Sequence, residues 1–238
     1  MFVFHAFIYV AGGAMNIHIT NRMRTIVDMM PICGTAADIG ADHALLSIHL
    51  IQRGRAKRVY ACDIREAPLI KAKENIRKFH MEDKIVPCLS DGLSEVYDKA
   101  EAAMIAGMGG ELIKRILFAE PRFHIHTFVF QAMSRSDVLR RSLPPLGLAI
   151  TEERLVQDGN RIYCVIRAER GKAAYSDVEC CVGPCLLKTR GKLFLPYLRR
   201  LIAYETQKVK GSDESMRHAQ ILQALQEIEK EETHDYGV

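Results

Sequence analysis

At 238 residues the chain suits one α/β domain with an appendage and falls short of two full domains. Hydrophobic residues make up 48%, enough for a proper core, and the 26% charged fraction is ordinary. A net charge of +4 permits a polyanionic partner without requiring one, so the placement of the charges matters more than their sum.

Residues 1–14 (MFVFHAFIYVAGGA) are apolar, lack a basic leader region and are too short to span a bilayer. We read them as an upstream extension of a frame beginning at Met15, or as a loosely held tail, in preference to a signal peptide. No later stretch is a transmembrane candidate. Seven cysteines at irregular spacing contain no CxxC pair, and Cys180, Cys181 and Cys185 form the closest group. Such a set reads as reduced, mostly buried thiols of a cytoplasmic protein.

In chain order, ITNRMRTIVDMM (19–30) places Ile19, Met23, Ile26, Val27 and Met30 at helical spacing, and Pro31 stops the helix. TAADIGADHALL (35–46) follows: a strand over 36–39, a glycine turn at Gly40, and a helix from His43 or Ala44 to Arg53, with Asp42 or His43 as its cap. Glycine lets backbone approach a ligand closely, and a helix start offers free N–H groups. Ala41 and His43 stand where the dinucleotide fingerprint needs glycines, so a pyrophosphate cradle is not expected. A cofactor without phosphates, such as S-adenosylmethionine, fits better. RVYACDI (58–64) is the second strand and ends on Asp63, where an acid accepts from ribose hydroxyls. The alternative for Asp63 is a helix cap.

A helix over 66–79 and a strand over 84–88 lead to Ser90-Asp91-Gly92, a turn at the ligand-collecting edge of the sheet. There an Asp can accept from an adenine amine; the alternative is a plain turn. AAMIA (102–106) is a fourth strand running into Gly107-Met108-Gly109-Gly110, where the backbone must pass close to something. A helix over 111–119, a strand over 127–131, a helix over 136–143 and an antiparallel pair (148–156, 161–168) complete the pattern. Five βα units closed by a hairpin is the chain order of a class I methyltransferase, a Rossmann-like fold with a seven-stranded, mostly parallel sheet.

From Gly183 the pattern becomes two helices, 195–209 and 214–232, turning at Gly211-Ser212-Asp213. It reads as an antiparallel hairpin with a coiled-coil seam. Lys188, Arg190, Lys192, Arg199, Arg200, Lys208 and Lys210 face one acid, Glu205, on the first arm, while the second arm is acidic. A basic arm suggests phosphate contact; the alternative is pairing with the acidic neighbour. The expected divisions are a tail (1–18), a Rossmann-like domain (19–182) and a helical hairpin (183–238).

ADIGADHALL, ACDI, SDGL, IAGMGGELI and Gln131 after the fifth strand, followed by a helical hairpin, together resemble one family: the bacterial TrmK-type tRNA (adenine-22 N1)-methyltransferases. The resemblance runs from about Asn21 to Glu232. IAGMGG is its most specific piece, standing where many amino-group methyltransferases carry Asp/Asn-Pro-Pro. The chain departs from the family at Leu45-Leu46-Ser47, where Tyr-Leu-Pro is usual, and at Gln131-Ala132-Met133, where Gln-Pro-Asn or a similar triplet is common.

The resemblance implies S-adenosylmethionine as methyl donor, S-adenosylhomocysteine as product and tRNA as substrate. The cofactor residues would be Asp38, Gly40, Asp42, His43, Asp63, Ile64, Asp91, Gly92, Ala106 and Gly107, with Asp38 ordering the loop or the cofactor's amino group. Gly107, Met108 and Gly109 would line the methyl-transfer site. Adenine N1 carries an in-plane lone pair, so the task is mainly positional, and the product is cationic. Asp42 is the expected carboxylate that stabilises this charge and accepts the N6 proton. His43 reads as a cap or packing residue, with a base as the alternative. Gln131 and Met133 would meet a base extruded from the RNA, with Met108 also packing on it. Arg135, Arg199 and Arg200 would contact the RNA, as would the basic residues Arg53, Arg55, Lys57, Arg58, Arg140 and Arg141. His124 and His126 have no acid or Cys neighbours in sequence, so no metal is expected. No membrane contact is expected either, and a monomer is the expected state.

Rival readings are a small-molecule methyltransferase with a dimerising hairpin, and a non-catalytic RNA-binding protein with a vestigial cofactor pocket. A nicotinamide oxidoreductase is disfavoured by the missing glycines.

Overall fold

The computed structural model describes residues 19–209 and 215–235. Its first half runs α1 (Asn21–Met29), β1 (Cys33–Ile39), α2 (Leu45–Gln52), β2 (Ala56–Asp63), α3 (Glu66–Lys78), β3 (Ile85–Leu89) and β4 (Ala102–Met108). Then come α4 (Gly110–Ala119), β5 (Thr127–Ala132), α5 (Ser136–Ser142), β6 (Leu148–Asp158) and β7 (Arg161–Arg170). Four helices close the described chain: α6 (Asp177–Val182), α7 (Leu186–Thr189), α8 (Phe194–Val209) and α9 (Ser215–Asp235).

The strands form one seven-stranded sheet in the order β3-β2-β1-β4-β5-β7-β6. Pairing is parallel from β3 to β5 and antiparallel across β7 and β6. Side-chain alternation sorts the strands into two cores. Ala36, Val59, Ala61, Met104 and Val129 face α1, α2 and α3 through Ile26, Val27, Ile48, Leu50 and Ile76. Ala37, Ile39, Ile105, Phe128 and Phe130 face the opposite way, towards Ile113, Leu117 and Leu139 of α4 and α5. That second core continues without a break into Val182, Phe194, Tyr197, Leu198, Ile221 and Leu225, so α6, α8 and α9 share apolar surface with the sheet.

Element limits differ from the sequence reading where pairing extends them. β1 begins at Cys33, and β6 and β7 run on to Asp158 and Arg170 because their pairing continues from the turn at Asp158–Arg161 to the far end, where Arg170 faces Leu148. Gly107 and Met108 belong to β4 itself, with a register shift between Ala106 and Met108. Helices α6 and α7 lie outside the two-helix expectation. A capping box at Ser176 and Glu179 starts α6, a signal legible in S-D-V-E. The turn expected at 211–213, like residues 1–18, lies outside the described residues.

Two expected caps are corrected. Asp42–Ala44 form a short 3-10 turn with His43 and Ala44 at φ 60 and 54, and neither Asp42 nor His43 caps α2. Asp38, reaching across from β1, accepts hydrogen bonds from the Ser47 backbone N–H and, at 2.7 Å, from its hydroxyl. It thereby satisfies an N-terminal N–H of the helix from outside the helix. Asp63 likewise does not cap α3, whose N-cap is Arg65.

Candidate functional site

The carboxyl ends of β1, β2, β3 and β4 meet along one edge, and the first βα turn forms its centre. Gly40 sits at φ +77, and the N–H groups of Gly40 and Ala41 both donate to the Cys62 carbonyl at 2.8 Å, tying the turn to β2. A side chain at Gly40 would meet the Met108 methyl group, which places the first turn against the end of β4. Two consecutive left-handed non-glycine residues, His43 and Ala44, strain the turn by roughly 1–3 kcal/mol each. The Asn75 amide holds it in place by donating to the His43 carbonyl at 2.8 Å.

Four aspartates mark the edge in different environments. Asp38 is buried; desolvation raises its carboxyl to about 6, against the opposing effect of the Ser47 hydrogen bonds. Asp63 is also buried, and its Oδ1 accepts from the Arg65 N–H at 2.9 Å. Among the described residues its Oδ2 has no hydrogen-bond donor. Asp91 is exposed beside Gly92, which sits at φ +61 with its Cβ position filled by Ile116. The Asp42 side chain is 75% exposed, 3.3 Å from His43 Nε2. Ile64, next to Asp63, is 61% exposed, an open apolar surface at the same edge.

Of the glycines after β4, Gly107 is the exposed bulge residue at φ +77, with only Arg22 Nη1 near its Cβ position, at 4.0 Å. Gly110 answers the question of what its backbone passes close to. A Cβ there would lie 2.1 Å from the Arg135 carbonyl, and its N–H donates to Ser134 O at 2.8 Å. Met133 N–H in turn donates to Met108 O at 2.8 Å. The β5–α5 loop is therefore fixed against the methyl-transfer candidates Gly107, Met108 and Gly109.

The substrate-side residues divide. Met133 is 42% exposed beside this loop. Gln131, expected to meet a base, is fully buried: its Oε1 accepts from Arg22 Nη1 at 2.7 Å and its Nε2 donates to Ala132 O at 3.0 Å. Arg22 covers it, and Arg22 is the site residue that sequence reasoning missed. Its signal was the spacing: position 22 lies one helical turn before Ile26, on the face of α1 that also carries Met29. Arg135, at φ +54, is held by Asp137 at 3.2 Å and Glu111 at 3.8 Å.

Arg140 is corrected outright. It is buried, with Nε on Glu153 at 2.7 Å and Nη1 on the Cys180 and Cys181 carbonyls, so it meets no solvent-borne phosphate. Arg141 pairs with Asp177 at 2.6 Å, and Arg53 with Asp28 at 3.0 Å. On the helical arm Arg199 pairs with Glu229 at 2.7 Å, and Arg190 with Glu231 and Glu232. Arg200 donates to the Ile162 carbonyl at 2.8 Å. Glu205 is not a surface acid of this arm but a buried acceptor for His218 and Lys208.

A cleft of about 540 Å³ lies between α4, α5 and the helices α8 and α9, with Lys114, Arg135, Arg141, Lys208 and Arg217 among acids along its walls. It begins at Arg135, next to the glycine loop. Among the described residues no group of three metal-ligating side chains is present, and no helix is long and apolar enough to cross a membrane.

A sheet of this order with its polar groups gathered along the β1–β4 edge is that of a Rossmann-like methyltransferase, and residues 19–166 match the family model described as a methyltransferase domain. A tRNA (adenine(22)-N(1))-methyltransferase of Bacillus subtilis (strain 168) is 31% identical over 187 residues, spanning 74% of this chain and 78% of that one. A solved Streptococcus agalactiae protein of the NADB-Rossmann superfamily superposes with a TM-score of 0.82 at 25% identity, covering 91% of this chain and all of that one. M. capricolum TrmK, solved with S-adenosyl-homocysteine, gives a TM-score of 0.74 at 25% identity over 89% and 96% of the two chains. The chain belongs to the family of bacterial tRNA (adenine(22)-N(1))-methyltransferases.

Proposed function

We propose that this protein transfers a methyl group from S-adenosylmethionine to N1 of an adenine in tRNA, at position 22 as in its relatives. The observation that carries the reading is the reach of the likeness. It runs through the sheet and on into the C-terminal helices, covering 89% of the chain against TrmK. A small-molecule methyltransferase with an unrelated appendage would match over the sheet alone.

The residues at the edge fit a phosphate-free nucleoside that bears a positive charge. Carboxylates line the edge, Asp63 has an oxygen to spare for a vicinal diol, and Ile64 offers an apolar face. When bound, S-adenosylmethionine supplies an electrophilic methyl group. In our assignment Asp63 holds the ribose, Asp91 and Gly92 the adenine with Ile64 against it, and Ala106 and Gly107 the reacting end. Asp38, Gly40 and His43 shape the turn. Catalysis is then chiefly positional, because adenine N1 already presents its lone pair. Gly107, Met108 and Gly109 line the approach, and Asp42 stabilises the charge that develops on the ring and takes the N6 proton. Asp42 is exposed in the free protein, so its field gains strength once RNA covers it and excludes water.

We assign residues 19–182, which hold the whole sheet, to a catalytic domain and residues 183–238 to a C-terminal domain, whose described elements α7, α8 and α9 are all helices. The RNA would follow the mixed-charge cleft from Arg135 towards Arg199 and Arg200, with Met133 against the extruded base. We place the protein in the cytoplasm as a monomer. Incubation of unmodified tRNA with methyl-labelled S-adenosylmethionine, followed by nucleoside analysis, tests the reading. Label in N1-methyladenosine supports it; labelled small molecules with unlabelled RNA overturn it.

A further inference from the structure

Arg22 has no role in the assignments above, yet it stands at the mouth of the site. Its side chain is only 26% exposed, a costly place for a guanidinium unless its donors are used. The chain fixes it from several sides. Nη1 donates to Gln131 Oε1 at 2.7 Å and lies 3.7 Å from Met133 Sδ, and the guanidinium carbon lies 5.3 Å from the centre of the Tyr163 ring. Among the described residues its acidic neighbour is Asp158, 4.0 Å from Nε. Among the described residues the two Nη2 donors have no acceptor. The guanidinium stands beside Gly107, with Nη1 4.0 Å from that residue's Cβ position and no other atom of the described residues within 4 Å of it.

We propose that Arg22 anchors an oxyanion of the bound reactants at this mouth, with buried Gln131 and Tyr163 as its positioning residues. A planar guanidinium already held in place suits two-point recognition of a phosphate or a carboxylate. The inference rests on the methyltransferase reading, which supplies two sources of that chemistry: a phosphodiester next to the target nucleotide, and the amino-acid carboxylate of the methyl donor.

The test uses the full chain and the variants Arg22→Ala and Arg22→Lys. tRNA binding is measured across a salt series. Binding of S-adenosylhomocysteine, which keeps the carboxylate, is compared with 5′-methylthioadenosine, which lacks it. If the anion is a phosphate, Arg22→Ala makes the slope of log affinity against log salt shallower by about 0.9, with S-adenosylhomocysteine binding unchanged. If it is the carboxylate, S-adenosylhomocysteine binds on the order of tenfold more weakly while 5′-methylthioadenosine binds as before. Arg22→Lys keeps the charge and loses the fork, so it gives an intermediate loss in whichever arm responds. Retained 5′-methylthioadenosine binding shows that the variants are folded; if Arg22→Ala fails that check, Arg22→Lys alone decides. Wild-type salt slope together with a wild-type ratio of the two nucleoside affinities overturns the proposal. Failure of the wild-type chain to methylate tRNA strikes the functional reading instead.

Discussion

Asp38 and Asp42 lie four residues apart on one turn and do different work because their surroundings differ. Asp38 is buried and serves as an external cap for α2; Asp42 faces solvent at the mouth. Because burial raises the Asp38 carboxyl to about 6 in the folded chain, against 3.8 for the ordinary group, the folded state holds that proton more tightly than the unfolded one. Its stabilising contribution is full below about pH 4 and is lost as pH rises through about 6. The rise corresponds to roughly 3 kcal/mol. Asp38→Asn should remove this loss, so that urea denaturation finds the variant more stable than wild type at pH 7.5 and with a flatter profile from pH 4 to 7. Asp42→Ala should cut kcat by about 10²-fold or more while S-adenosylhomocysteine affinity stays within a few-fold. A collapse of cofactor affinity, read by calorimetry, would make Asp42 a cofactor residue alone. The turn's glycine and acids were visible in ADIGADHA. The strain at His43 and Ala44 was not, because side-chain pattern carries no signal for a left-handed non-glycine backbone.

At the scale of elements, the join between sheet and C-terminal helices encloses a buried ion pair within its apolar core. Arg140 of α5 and Glu153 of β6 are fully enclosed, and they also satisfy the Cys180 and Cys181 carbonyls and the Cys185 N–H at the ends of α6 and α7. Such a pair adds little net stability over an apolar one, but losing one partner strands a charge. Glu153→Ala should therefore lower the unfolding free energy by about 3–5 kcal/mol, measured by chemical denaturation. Strands and helices were legible from periodicity, down to the hairpin across Asp158-Gly159-Asn160. The Arg140–Glu153 pair was not: its partners are thirteen residues apart, and an Arg reads as a surface residue until the chain is folded around it. The charge asymmetry of the C-terminal segment was legible too, but part of it is spent internally, Arg199 of α8 on Glu229 of α9 and Arg190, at the end of α7, on Glu231 and Glu232 of α9. Reversing charge at Arg199 and Arg200 together should still weaken tRNA binding and flatten its salt dependence. An unchanged slope removes this arm from the RNA interface.

For the whole molecule, the sequence motifs brought the candidate cofactor residues to one sheet edge because that edge is local: each acid or glycine lies at the end of its own strand. The substrate side depends on contacts between distant segments, and there the sequence was less informative. Gln131 was visible, but Arg22, 109 positions earlier, covers it. The cleft between α4, α5, α8 and α9 likewise exists only once the helices pack on the sheet. In the proposed function this assembly presents one adenine of tRNA, N1 first, to the methyl donor. The direct test compares labelled methyl transfer to an unmodified tRNA carrying adenine at position 22 with transfer to the same tRNA carrying guanine there. N1-methyladenosine is expected in the first and no label in the second. Equal labelling of both, or of neither, would contradict it.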